Sequence, residues 1–163
     1  MNSICIIDIE ASGLDVDAYP IEVAVLFEGK SHSWLIKPEP SWDYWCPVAE
    51  SMHGITREQL EDEGESAAQV ANALNELLQD SDALLYSDAM YWDTDWIDTL
   101  YHSVKIQRQF HVGSLFDLLN TEQTERFSRI RSQLAMSGKY RQHRAEEDVR
   151  MIFEAYSKAS REQ

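Results

Sequence analysis

The stretch "IIDIEASG" (Ile6–Gly13) decides how the chain is read. Its apolar, β-branched character suits a buried strand. Yet it carries two carboxylates, Asp8 and Glu10, two positions apart. Alternation along a strand puts both on the same face. Like charges there repel, and burying either without a partner is costly. Such a pair is kept only where something offsets it.

Outward from this strand, predicted over Ser3–Glu10, the pattern continues as Ile21–Phe27 and Ser31–Ile36, a hairpin around the turn Glu28-Gly29-Lys30. Thr56 is placed to cap a short helix through Leu60. Ser66–Leu78 is amphipathic, with Val70, Leu74, Leu77 and Leu78 at helical spacing. Ala83–Ser87 and Phe110–Gly113 read as short strands. Asp93–Val104, Ser114–Leu119, Glu122–Met136 and Glu146–Ala159 read as helices. A meander followed by alternating helices and strands predicts an α/β fold, a mixed sheet with helices on its faces. The segment "PSWDYWCP" (Pro40–Pro47) fits neither period. Trp42, Tyr44 and Trp45 either pack this loop onto the body or stack on bases of a single strand.

With 163 residues and no repeat, low-complexity tract or Pro/Gly-rich linker, residues 1–163 are expected to form one domain. No apolar run nears the roughly 20 residues of a membrane helix, so no membrane association is expected. The N-terminus lacks the basic, apolar and small-residue succession of a signal peptide. Cys5 and Cys46 are the only cysteines, which suggests two reduced thiols in a cytoplasmic protein rather than a disulfide framework. The formal net charge of −15 argues against a grip on long nucleic acid through a broad basic surface. That charge either keeps the protein soluble or belongs in part to a cation site.

Other acids sit on apolar faces as well. In "WDTDWIDTLYHSV", Asp93 precedes Trp96, Ile97, Leu100 and Val104 by three, four, seven and eleven residues, the core stripe of a helix. Asp95 and Asp98 fall on the polar side with His102. In "HRAEEDVRMIFEAY", Asp148 precedes Met151, Ile152 and Ala155 by three, four and seven, whereas Glu146, Glu147 and Arg150 point outward. Either aspartate alone also reads as a first-turn charge offsetting the helix dipole. Asp8, Glu10, Asp93 and Asp148 together, if they converge, call for a cation, and an all-oxygen set suits magnesium or manganese rather than zinc. Two divalent ions bring four positive charges to four negative ones. His143 lies five residues before Asp148; imidazoles as a class titrate near neutrality, and it is the candidate general base for an attacking water. A histidine in that place also serves as a surface residue or a cap.

"DIEASG", "SDAMYWDTDWI" and "HRAEED" resemble the three motifs of the DEDDh (DnaQ-like) superfamily of 3′-to-5′ exonucleases. Asp8, Glu10 and Gly13 match the first motif; His143, Arg144, Ala145 and Asp148 match the third. "SMHGITREQL" (Ser51–Leu60) resembles the segment that members carry between the first two motifs. The second motif departs: Ser87, Asp88 and Ala89 stand for the common His-Asn-Ala, and one extra residue precedes Trp92-Asp93. The resemblance implies a ribonuclease H-like fold and a two-metal 3′-to-5′ exonuclease acting on single-stranded DNA or RNA, expected to be short. Asp8, Glu10, Asp93 and Asp148 would share two magnesium or manganese ions, and His143 would take the proton of the attacking water. Gly13, Leu14, Met52 and His53 would line the pocket of the terminal nucleotide; His53 also reads as a loop histidine bonded to backbone. The competing expectation is an acidic adaptor that keeps the fold, cuts weakly or not at all, and binds a protein partner.

Overall fold

The alternation of the first forty residues becomes three antiparallel strands in the computed structural model, which describes residues 4–79 and 83–161. These are β1 (Cys5–Ala11), β2 (Pro20–Phe27) and β3 (Lys30–Lys37). Ser3, the expected start of the first strand, lies outside the described residues. Glu28 and Gly29 turn the hairpin with φ of 50° and 78°, the doubly left-handed geometry that matches strand twist. The chain continues through α1 (Pro47–His53), α2 (Arg57–Glu63), β4 (Glu65–Ser66) and α3 (Ala67–Leu78). Then come β5 (Leu84–Ser87), α4 (Met90–Val104), β6 (His111–Ser114), a 3-10 turn (Leu115–Leu118), α5 (Thr121–Met136) and α6 (Ala145–Ala159). The sheet order is β4-β3-β2-β1-β5-β6. β1 runs antiparallel to β2 and parallel to β5, and β5 runs parallel to β6. This is the mixed, helix-flanked α/β sheet that the pattern predicts.

Three local readings are corrected. Helix α1 stands where no helix was expected; Pro47 starts it at a position where its missing N–H costs nothing, and Gly54, at φ 70°, ends it by donating to Glu50 O at 2.7 Å. Helix α4 begins at Met90 rather than Asp93, so Asp93 lies in its first turn. Between 110 and 119 the strand ends one residue later, at Ser114, and the helix shrinks to one 3-10 turn. The aromatic loop packs on the body: Trp42 is buried and stacks on Tyr19 at 5.2 Å. Arg57 holds the pair, donating to the Tyr19 hydroxyl and, at 2.6 Å, to the Trp42 carbonyl.

Each face of the sheet buries its own core. Ile7, Ile9, Val23 and Val25 meet Val70, Leu74, Ile97 and Leu100 of α3 and α4. Ile6, Ala24 and Leu26 meet Phe127, Leu134, Val149, Ile152 and Ala155 of α5 and α6. Fully burying one such aliphatic side chain contributes roughly 1.5–3 kcal/mol. Asp8 and Glu10 continue the row that begins at Ile6, so they leave the strand on the side that α6 covers.

Candidate active site

The carboxyl ends of the parallel strands β1 and β5 form a common edge, the place where open α/β sheets take their ligands. Asp8 and Glu10 come from β1. Beyond β5 the chain turns through Asp88 and Ala89 into α4, which brings in Asp93; the first turn of α6 brings in Asp148. Asp8, Asp93 and Asp148 are all buried. The Ser87 hydroxyl donates to Asp93 Oδ2 at 2.5 Å and accepts from the Ala89 N–H at 2.9 Å, fixing the start of α4. Asp95 is exposed and Asp98 pairs with Arg108 at 3.2 Å, both away from the edge.

The charges of Asp93, Glu10 and Asp148 all bear on Asp8. One ligand atom each from Glu10, His143 and Asp148 lies within 4.8 Å of the other two. Burial, then the charges of Asp93, Glu10, Asp148 and Asp88, raise the Asp8 carboxyl well above the usual carboxylate range. Burial and the facing Asp148 push Glu10 up to about 9. Burial pushes Asp93 up to about 8, against the opposing hydrogen bond from Ser87. Asp148 is raised by burial, while its contact with Glu10 and the charges of Arg131 and His143 pull it down. Two oxygens, Asp8 Oδ2 and Asp148 Oδ1, are buried without a hydrogen-bond partner among the described residues. Burial of polar atoms in that state is costly. Hard divalent cations fit such an oxygen set.

His143 holds a left-handed backbone, φ 62°, a conformation that non-glycine residues adopt sparingly and that concentrates at functional sites. Arg144 follows as the extended N-cap of α6. The nucleotide-pocket candidates divide. Leu14 and Met52 are exposed. Gly13 is buried, and a Cβ there would come within 2.7 Å of Tyr44 Cε1 and 2.8 Å of Cys46 Cβ. His53 is buried at the end of α1, and its Nδ1 accepts from the Ile55 N–H at 3.0 Å, the backbone bond expected of it, though in a helix rather than a loop. That bond places the imidazole proton on Nε2, which is buried without a partner among the described residues. Burial lowers the His53 pKa, and among its charged neighbours are Glu22, Arg144 and His143.

Sequence reasoning missed two residues here. Glu22, buried in β2, stands opposite Glu10 and takes a bidentate pair from Arg144. Arg131 of α5 lies 2.7 Å from Asp88, the acid in the irregular second motif. Glu22 carried the same signal as Asp8 and Glu10, a carboxylate inside an apolar strand; the partners of both acids lie far away in sequence.

Comparison with known proteins agrees with this architecture. The E. coli exonuclease I structure in complex with a dA16 oligonucleotide superposes with a TM-score of 0.73 at 15% identity, over 94% of this chain and 40% of that one. The zinc-bound E. coli exonuclease I complex with single-stranded DNA gives 0.73 at 16%, over 93% and 38%. A moderately thermophilic exonuclease I from Methylocaldum szegediense gives 0.71 at 16%, again over 93% and 38%. The chain thus spans about 40% of the length of these exonuclease I chains. A comparison with curated protein sequences finds no match. The exonuclease family RNase_T matches residues 5–156, nearly the whole chain. By that match the chain belongs to the RNase_T exonuclease family, of the DnaQ-like superfamily its three motifs resemble.

Proposed function

We propose that this chain is a metal-dependent 3′-to-5′ exonuclease that removes the terminal nucleotide from short single strands of DNA or RNA. The observation that carries the reading is the cluster of Glu10, His143 and Asp148 within 4.8 Å of one another, with Asp8 and Asp93 near enough for their charges to bear on the same carboxyls and two buried oxygens without a partner among the described residues. These four carboxylates would hold two magnesium or manganese ions. When bound, the ions would activate the attacking water and offset charge on the phosphodiester.

The chain's own residues supply the rest. His143, within 4.8 Å of Glu10 and Asp148, accepts the proton of the water as it attacks the terminal phosphodiester in line. The Ser87 hydroxyl orients Asp93. His53, kept neutral by burial, offers Nε2–H as a donor to the terminal nucleotide. Leu14 and Met52 present apolar surface to its base or sugar, while Gly13 lets the aromatic loop pack close beneath them. The net charge of −15 disfavours an extended grip on a phosphate backbone, which favours short strands. Solved exonuclease I structures hold single-stranded DNA, which supports this class of substrate. Two free cysteines and no helix long and apolar enough to cross a membrane, among the described residues, suit the cytoplasm. We take residues 1–163 to act as one exonuclease unit.

The test is digestion of 5′-labelled single-stranded DNA and RNA with manganese, run beside Asp8→Ala. The expected result is stepwise shortening from the 3′ end that Asp8→Ala abolishes. Intact strands with the folded parent protein would refute the reading and leave the acidic adaptor in its place.

A further inference from the structure

Glu22 is buried in β2, directly opposite Glu10 in the β1–β2 register. The register breaks at this point: Glu10 faces Glu22, but Ala11 faces Pro20, so β2 carries a bulge beside the site. The Glu22 carboxylate accepts from Arg144 Nε at 3.2 Å, from Arg144 Nη2 at 2.9 Å and from the Ala145 N–H at 2.8 Å. All three donors belong to the two residues that follow His143. Capping the helix needs only the Ala145 bond. The planar fork to Arg144 adds orientation, since a bidentate guanidinium–carboxylate pair fixes both partners in one plane.

His143 sits immediately before this fork with its backbone in the left-handed region. A non-glycine residue stays there only where its surroundings hold it. A buried ion pair is weak evidence for stability and better suited to fixing geometry. We propose that Glu22 and Arg144 form a positioning clamp that locks His143, and with it the first turn of α6, against the strand carrying Glu10. Glu22 is then a positioning residue of the reaction, acting through His143, and this assignment rests on the exonuclease reading given above.

Two variants test it. Glu22→Gln keeps the shape and one acceptor for the Ala145 N–H but loses the charged fork. Arg144→Lys keeps the charge without the fork, on a side chain that is partly exposed. The clamp predicts that kcat for a short oligonucleotide with manganese falls about 100-fold in either variant, the scale of a 1 Å misplacement, with KM unchanged. In a His143→Ala background the same substitutions should cost far less than in the parent, because the main group they position is gone and only the first turn of α6 with Asp148 is left to shift. The imidazole ¹⁵N–¹H signals of His143 in the metal-free protein provide a readout independent of cleavage, and both variants should shift or broaden them. Parent-like His143 signals, or parent-like kcat, in a folded variant would overturn the clamp; so would full additivity with His143→Ala. If Glu22→Gln does not fold, Arg144→Lys decides alone. If the parent itself cuts no strand, the exonuclease reading fails while the His143 signals still judge the clamp.

Discussion

Metal binding at this site should expel protons, and the number follows from its carboxyls. Glu10 is pushed up to about 9 and Asp93 to about 8, by burial first and by neighbouring charge second. Near pH 7 the metal-free site therefore holds Glu10 and Asp93 mostly protonated. Cation ligands must be deprotonated, so filling the site should release roughly two protons from Glu10 and Asp93, with further release from Asp8 and Asp148, whose carboxyls are also raised. The apparent association constant should then climb by roughly 100-fold or more per pH unit below about 8 and less steeply above. Manganese titration calorimetry in buffers of different ionisation enthalpy counts these protons directly, and Asp93→Asn should release about one fewer. The stability of the metal-free protein has the same origin. Raised carboxyls keep, in the folded chain, protons that the unfolded chain has shed, so stability falls as pH rises from the ordinary carboxylate range near 4 through about 8 to 9. Chelation should thus lower Tm most on the alkaline side. Heats that do not depend on the buffer, with an affinity flat between pH 6 and 8, would refute the reasoning.

Asp93→Asn should abolish most cleavage with the fold intact, whereas Asp95→Asn, on the exposed side of α4, should leave cleavage near the parent rate; single-turnover digestion of both decides which aspartate serves the site. His143→Ala should still bind manganese in a calorimetric titration, since the four carboxylates remain, yet lose cleavage by ~10²–10⁴-fold. Gly13→Ala sets a methyl within 2.7 Å of Tyr44 and 2.8 Å of the rigid Cys46 Cβ; the loop must shift, at a cost of ~1–3 kcal/mol that thermal melts would register.

The elements legible in the sequence are those whose side chains form a short apolar run or repeat at a fixed period. Strands β1 and β2 are short apolar, β-branched runs bounded by turns, and α3, α4 and α6 carry apolar stripes, so each shows in a short window. Asp8, Glu10, Asp93 and Asp148 stood out because each breaks such a pattern. Glu22 breaks one too, within "PIEVAVLF", but its meaning lies in Arg144, 122 positions away, and no local period reaches that far. Helix α1 spans only seven residues, too few for a stripe to repeat; its marks are Pro47 and Gly54, punctuation at either end. The loop "PSWDYWCP" has no period because its order comes from tertiary contact, with Trp42 stacked on Tyr19. Strand β4 is two residues long and exists through its pairing with Ile36 and Lys37.

The acidity at the site resolves once these distant partners are included. Six carboxylates gather there: Asp8, Glu10, Glu22, Asp88, Asp93 and Asp148. Glu22 is matched by Arg144 at 2.9 Å and Asp88 by Arg131 at 2.7 Å. Those two pairs are each neutral, which leaves Asp8, Glu10, Asp93 and Asp148, the four whose carboxyls are raised and whose orphaned oxygens, on Asp8 and Asp148, lack any donor. Asp88, which stands where relatives commonly carry asparagine, therefore adds no net charge to the set that two divalent cations would balance. The departure in the second motif is compensated from α5, and the carboxylates without arginine partners are the same four that the motifs single out.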